Sequence, residues 1–203
     1  MTDEASSTRD RLIDAAISLF ASRGYAVTST AEIQVACGLS PGSGALYKHF
    51  PSKQALLRAA AQRQLDRMAA TRREVNADRS TDTPDLMRRV AEAIWDGIEG
   101  NAELFRLMFR EPEAVEDFAD ELWSGVIANA YKQFGAGLKI ATETGAADVA
   151  DPEATGAVLI AALAYLPVVN LLIGRTPGDI DPERFREAWV RLATAVYVGA
   201  PTN

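Results

Sequence analysis

Apolar positions recur at helical spacing along almost the whole chain. Leu12, Ile13, Ala16, Leu19 and Phe20 form one face of a first helix that stops at Gly24. Ser29-x-x-Glu32 is a capping box and starts a short helix that turns Ile33 and Ala36 inward. After a turn at Gly38-Leu39-Ser40, Ser52 is placed to cap a long helix running to about Val75, roughly 35 Å at 1.5 Å per residue. Thr83-Pro84 opens the next helix, to about Glu99, by the cap-then-proline rule. Asn101 then caps a short one carrying Leu104, Phe105, Met108 and Phe109, which Pro112 ends. A long segment is predicted from Glu113 to about Thr144. Asp151-Pro152 and Asp181-Pro182 open two last helices ending near Gly174 and Gly199. No stretch alternates as a half-buried strand does, so the expectation is an all-α chain of about nine helices.

Two short helices joined by a glycine-containing turn are the unit that sets one helix into the DNA major groove. Residues 8–57 are therefore predicted to form a three-helix, helix-turn-helix domain whose last helix continues to about residue 75. The polar stretch 76–83 is the boundary, and residues 76–203 form a second helical domain. Within it, Ala157 through Ile173 is almost wholly apolar. Pro167, Asn170 and the lack of basic flanks favour a buried soluble helix over a membrane span. A helix apolar on all sides needs partners all round, which a homodimer interface on one face would supply.

Net charge is −7, which by itself argues against nucleic acid. Its distribution reverses that: residues 1–75 hold ten basic and seven acidic side chains, residues 76–203 eleven and twenty-one. Phosphate binding needs local positive charge only. A single cysteine, Cys37, rules out an intramolecular disulfide and suits a reducing cytosol, and the polar Met1-Thr2-Asp3-Glu4 start lacks a leader's apolar core. The expected location is cytoplasmic.

From about Thr8 to Leu57 the chain resembles the TetR family of bacterial regulators. Ala15-Ala16, Leu19-Phe20, Gly24-Tyr25, Thr28-Ser29, Ile33, Gly38-Leu39-Ser40, Leu46-Tyr47, Phe50, Ser52-Lys53 and Leu56 carry the match. The resemblance implies a homodimer that reads a pseudo-palindromic operator in double-stranded DNA, most simply as a repressor. It also implies that a small-molecule effector binds among the middle helices while the last two helices form the dimer. One departure stands out. Two extra residues separate Ser40 from Tyr47 compared with the family pattern, through Pro41-Gly42-Ser43-Gly44-Ala45-Leu46. Either Ser40 caps the recognition helix with Pro41 at its first position, the favoured reading, or Ser43 caps a shorter one.

The candidate DNA contacts are Ser29, Thr30, Ser40, Gly42, Ser43, Gly44, Tyr47, Lys48, His49 and Lys53. Tyr47 matches the family tyrosine that meets phosphate, Lys48 and Lys53 are cations, the short hydroxyls suit phosphate or base edges, and the glycines allow close backbone approach. Ser29 is a helix cap before it is a base reader. His49, beside Phe50, faces phosphate or packs. Cys37 is read as a small buried side chain, and Gln34 as facing DNA or solvent.

The middle-region side chains Trp95, Phe105, Met108, Phe109, Trp123, Tyr131, Tyr165 and Asn170 are the candidate lining of a largely apolar effector pocket. At helical spacing each aromatic is equally at home in a plain core. Asn170, polar in an apolar helix, needs a partner across the dimer or on a ligand. One histidine and one cysteine supply no metal cluster, and neither a catalytic triad nor a phosphate-binding fingerprint is present, so neither cofactor nor enzymatic activity is expected. The competing reading is a helical ligand-binding or interaction protein without effector-controlled DNA release.

Overall fold

The computed structural model describes residues 7–42, 44–77 and 82–198. Ser43, the acidic start, residues 78–81 of the polar boundary stretch and the terminus from Gly199 lie outside the described residues. Among the described residues all regular structure is helical, as the apolar spacing predicts. The elements are α1 (Thr8–Arg23), α2 (Thr30–Ala36), α3 (Lys53–Ala77), α4 (Thr83–Glu99), α5 (Ala102–Arg110), α6 (Ala119–Leu122), α7 (Asn129–Glu143), α8 (Pro152–Ile173) and α9 (Pro182–Val198), with short 3₁₀ turns between some of them. They group into two compact units, Met1–Asp66 with Asn101–Asp120, and Arg67–Gly100 with Glu121–Asn203.

The first unit is built on α1. Ser7 caps it, its Oγ accepting the Asp10 amide at 3.1 Å, and the helix buries Leu12, Ile13, Ala16, Ile17 and Phe20. Ile33 of α2, Leu46, Phe50, and Leu56 and Leu57 of α3 complete the core. Ser52 caps α3 as predicted, accepting the Ala55 amide at 3.0 Å. Helix α5 packs on α1 and buries Leu104, Phe105 and Leu107. After it the chain departs from prediction. The single long helix expected from Glu113 is broken into 3₁₀ turns at Pro112–Ala114 and Glu116–Phe118, then α6, a π-helical turn at Trp123–Ala128 and α7. Val115 and Phe118 are both buried, and a three-residue spacing aligns side chains in 3₁₀ rather than α geometry.

In the second unit α4, α7, α8 and α9 share one core. Met87, Ala91, Trp95, Phe134, Leu159, Ile160, Leu163, Leu166, Trp189 and Ala193 form the cluster. Helices α7 and α8 approach at two glycines: a Cβ on Gly156 would lie 2.9 Å from the Gly135 Cα. The starts of α8 and α9 follow the cap-then-proline rule, with Asp151 accepting the Ala154 amide and Asp181 the Arg184 amide, each at 3.0 Å. The start of α4 shifts by one residue, because Asp82 and not Thr83 is the cap and accepts the Asp85 amide at 3.0 Å.

Pro167 lies inside α8. Its missing N–H leaves the Leu163 carbonyl, one turn earlier, without its helical donor. The indole N–H of Trp95 supplies the replacement, donating to Leu163 O at 3.2 Å in a buried setting. Trp189 likewise donates to Leu159 O at 2.8 Å. Each buried indole thus has a partner.

Candidate nucleic-acid interface

The turn between α1 and α2 is the scaffold of the site. The Thr28 hydroxyl donates to Gly24 O at 2.7 Å. The Ser29 box is complete: Ser29 Oγ accepts the Glu32 amide at 3.2 Å, and Glu32 Oε2 accepts the Ser29 amide at 2.7 Å. The Ser29 N–H, then its hydroxyl, holds the Glu32 carboxyl below its ordinary range. Ser29 is thereby occupied as a cap. Thr30 follows as the first residue of α2.

Cys37 is buried at the end of α2, with its thiol donating to Arg11 O at 3.1 Å. Burial pushes this thiol up from its ordinary value, which fits the small-side-chain reading and disfavours a reactive thiolate. Gln34 is only 2 % exposed. It faces neither DNA nor solvent as expected; its Oε1 accepts the Gly42 amide at 3.3 Å.

The recognition segment differs most from expectation. Ser40 does not cap a helix with Pro41 at its first position. Among the described residues, Ser40, Pro41, Gly42, Gly44 and Ala45 are not helical; Pro41 and Gly42 lie in a turn, and the helical part described in this segment is a 3₁₀ turn at Leu46–Lys48 preceded by Ala45. Gly42 and Gly44 have φ of +73° and +69°. Two left-handed residues one apart cannot extend a right-handed helix, and glycine is the residue that adopts that conformation without steric cost. Ser40 and Gly42 are exposed on this loop.

Leu46 and Phe50 are buried, and the three residues between them point outward. Tyr47 (57 % exposed), Lys48 and His49 therefore form one exposed triplet anchored at both ends. The Tyr47 hydroxyl lies 3.5 Å from Thr30 Oγ1, which brings those two predicted contacts together. A residue that sequence reasoning missed joins them: Arg9, exposed, holds its guanidinium 5.1 Å from the Phe50 ring centroid. Its only sequence signal is a cation in the first turn of α1.

Lys53 does not belong to this exposed group. Its Nζ donates to Tyr25 O at 2.7 Å and Thr28 O at 3.0 Å and lies over the Tyr25 ring. The ammonium is held by the α1–α2 turn.

The predicted pocket residues are divided between the two units. Phe105, Met108 and Phe109 belong to the first unit, whereas Trp95, Trp123, Tyr131, Tyr165 and Asn170 belong to the second. Phe105 is core, and Trp95 is core with its indole committed to Leu163. Phe109, Trp123 and Tyr165 are more than half exposed, and Asn170 is exposed on α8.

This arrangement defines a helix-turn-helix-like domain whose recognition helix is, among the described residues, a single 3₁₀ turn, with a second unit whose regular structure among the described residues is helical. Residues 12–60 match the family model described as bacterial regulatory proteins, tetR family. The chain is 33 % identical over 108 residues to the HTH-type transcriptional activator FasR of Mycolicibacterium smegmatis, a match covering 53 % of this chain and 48 % of that protein. It is 39 % identical over 74 residues to the HTH-type transcriptional regulator UidR of Escherichia coli K12, covering 36 % of this chain and 37 % of that one. These matches thus span half or less of either relative. A TetR-like transcriptional regulator from Rhodococcus sp. RHA1 shares the fold over 95 % of this chain and 96 % of its own, with a TM-score of 0.70 at 20 % identity. Residues 12–60 thus match the amino-terminal domain of the TetR family, and the chain as a whole shares the fold of a TetR-like regulator.

Proposed function

We propose that this protein is a homodimeric repressor that docks on a pseudo-palindromic operator and is released by a small-molecule effector. The observation that carries the docking is the exposed Tyr47-Lys48-His49 triplet, fixed by buried Leu46 and Phe50 and set beside Thr30. A phenol, an ammonium and an imidazole on one short turn suit phosphate oxygens, which position a protein on the duplex. Arg9 adds a second cation to that face. With one 3₁₀ turn offered to the groove among the described residues of this segment, base reading falls to Thr30 and to the backbone of Ser40, Gly42 and Gly44. A larger share of sequence choice then comes from DNA shape and bridging water.

Dimerisation is supported by α8 and α9. Val158, Tyr165 and Leu172 of α8 and Leu192 of α9 are exposed apolar side chains, spaced seven, seven and, with Ala188 and Ala195, four and three apart on their helices. Such stripes are the signature of a helical interface left open in a single subunit. A dimer would set two reading heads about 34–36 Å apart. Helix α3, continuous over Lys53–Ala77, is the natural lever by which an effector bound among the C-terminal helices alters that separation. Such an effector must bind one of the two arrangements more tightly than the other.

Selection of bound sequences from random duplexes, followed by anisotropy titration at low salt, tests this reading. A pseudo-palindrome with half-sites one helical turn apart is the expected result. Indifference to every duplex at low ionic strength would overturn it.

A further inference from the structure

The α1–α2 turn is gripped from outside the helix-turn-helix by a residue far away in sequence. Glu111, at the C-terminal end of α5, accepts the Tyr25 amide on Oε1 at 2.8 Å and the Ala26 amide on Oε2 at 3.0 Å. Both carboxylate oxygens are thus used on consecutive backbone donors, an arrangement of charge-assisted bonds that fixes direction as well as distance. Gly24 makes room for it, since a Cβ there would lie 2.6 Å from Glu111 Oε1. The opposite side of the turn is held by the Lys53 ammonium on the Tyr25 and Thr28 carbonyls. A second link runs in parallel: the Tyr25 hydroxyl donates to Gln54 Oε1 at 2.9 Å, and Gln54 Nε2 donates to Asp117 Oδ2 at 3.0 Å. The turn therefore has an anion on its donors, a cation on its acceptors, and ties to the 111–117 segment from both backbone and side chain.

We propose that Glu111 is a positioning residue for DNA docking: by chelating the Tyr25 and Ala26 amides it sets the turn that presents Thr30 beside Tyr47. The inference rests on the proposed function. Thr30, the first residue of α2, lies only four residues beyond Ala26, and Ser29 between them caps α2, so a change in the turn re-aims α2. Glu111 itself has no need to touch DNA. Its loss therefore lowers affinity without removing a phosphate contact, which separates it from Lys48.

The test uses full-length protein, an operator fragment selected by the wild type, and the variants Glu111→Gln and Glu111→Ala. Hydrogen exchange of the Tyr25 and Ala26 amides reads the clamp directly, and thermal melts confirm that each variant is fully folded at the assay temperature. The expected result is faster exchange at both amides and a Kd raised on the order of tenfold, with the salt dependence of binding unchanged. Unchanged exchange, or faster exchange with unaltered Kd, would overturn the proposal. A shallower salt slope would also overturn it, by making Glu111 part of the contact surface. Should the wild type bind no duplex at all, the reading of the site falls as well; wild-type binding with an indifferent Glu111→Ala sinks the clamp alone.

Discussion

Lys48 and Lys53 carry the same charge on the same recognition segment, yet their surroundings separate them. Lys48 is exposed between Tyr47 and His49, while the Lys53 ammonium is spent on two backbone carbonyls. Lys48→Ala is expected to weaken binding to all duplexes alike and to reduce the salt slope by about one. Lys53→Met is expected to leave that slope intact and to lower stability on the order of 1–2 kcal/mol, because the Tyr25 and Thr28 carbonyls lose a charged donor. Salt titrations and denaturant melts of both variants decide it; equal slopes in the two would contradict the assignment. Tyr197 offers a residue-level test in the other unit. Its hydroxyl donates to Phe134 O at 3.1 Å, and burial pushes the phenol up to about 12. The folded value exceeds the unfolded one of about 10, so its contribution is complete below about pH 10 and is lost as pH rises through about 12. Melts on this alkaline limb should fall less steeply for Tyr197→Phe than for the wild type. Neither the placement of Lys53 nor that of Glu111 was legible beforehand, since their partners lie 25 to 86 residues away and no local pattern records such a pairing.

At the scale of elements, local chemistry was legible at most helix starts, although the cap of α4 falls one residue early, on Asp82. The Ser29 box, the Ser52 cap and the Asp-Pro starts of α8 and α9 all appear where their residue types place them. Two further predictions failed because a local rule was applied to the wrong context. Ser40-Pro41 satisfies the helix-start rule, but Gly42 and Gly44 immediately beyond it adopt left-handed φ, and the helix does not form. Periodicity over Glu113–Thr144 likewise could not distinguish α from 3₁₀ and π turns, whose apolar spacings differ by one residue. The Trp95–Pro167 pair yields an element-scale prediction. Trp95→Phe leaves the Leu163 carbonyl buried without a donor, expected to cost about 1–3 kcal/mol. In a Pro167→Ala background the alanine N–H can serve that carbonyl, and the same substitution should cost measurably less. A double-mutant cycle by urea denaturation reads the coupling; additive effects would mean the indole does not stand in for the missing amide.

For the whole molecule, α8 poses the problem of a helix apolar all round. It is the one described helix long and apolar enough to cross a membrane, yet a third of that apolar stretch is buried within the subunit. One side carries Leu159, Ile160, Leu163 and Leu166 into the core, while Val158, Tyr165 and Ile173 stand exposed. An exposed apolar face of this kind is costly for a chain in water and cheap for one paired with a copy of itself. Leu192 of α9 extends the same argument to a second helix. Placing a carboxylate there, as Val158→Asp with Leu192→Asp, would bury like charges against their symmetry mates in a dimer and would merely meet water in a monomer. The expected outcome is a shift to monomer in sedimentation, with far-ultraviolet circular dichroism unchanged. Loss of the second half-site contact should then raise the operator Kd by a factor on the order of 10² or more, because each head must bind without the effective concentration supplied by its tethered twin. A variant that stays dimeric, or a monomer that binds the full operator as tightly as the wild type, would show that these stripes do not hold the two reading heads together.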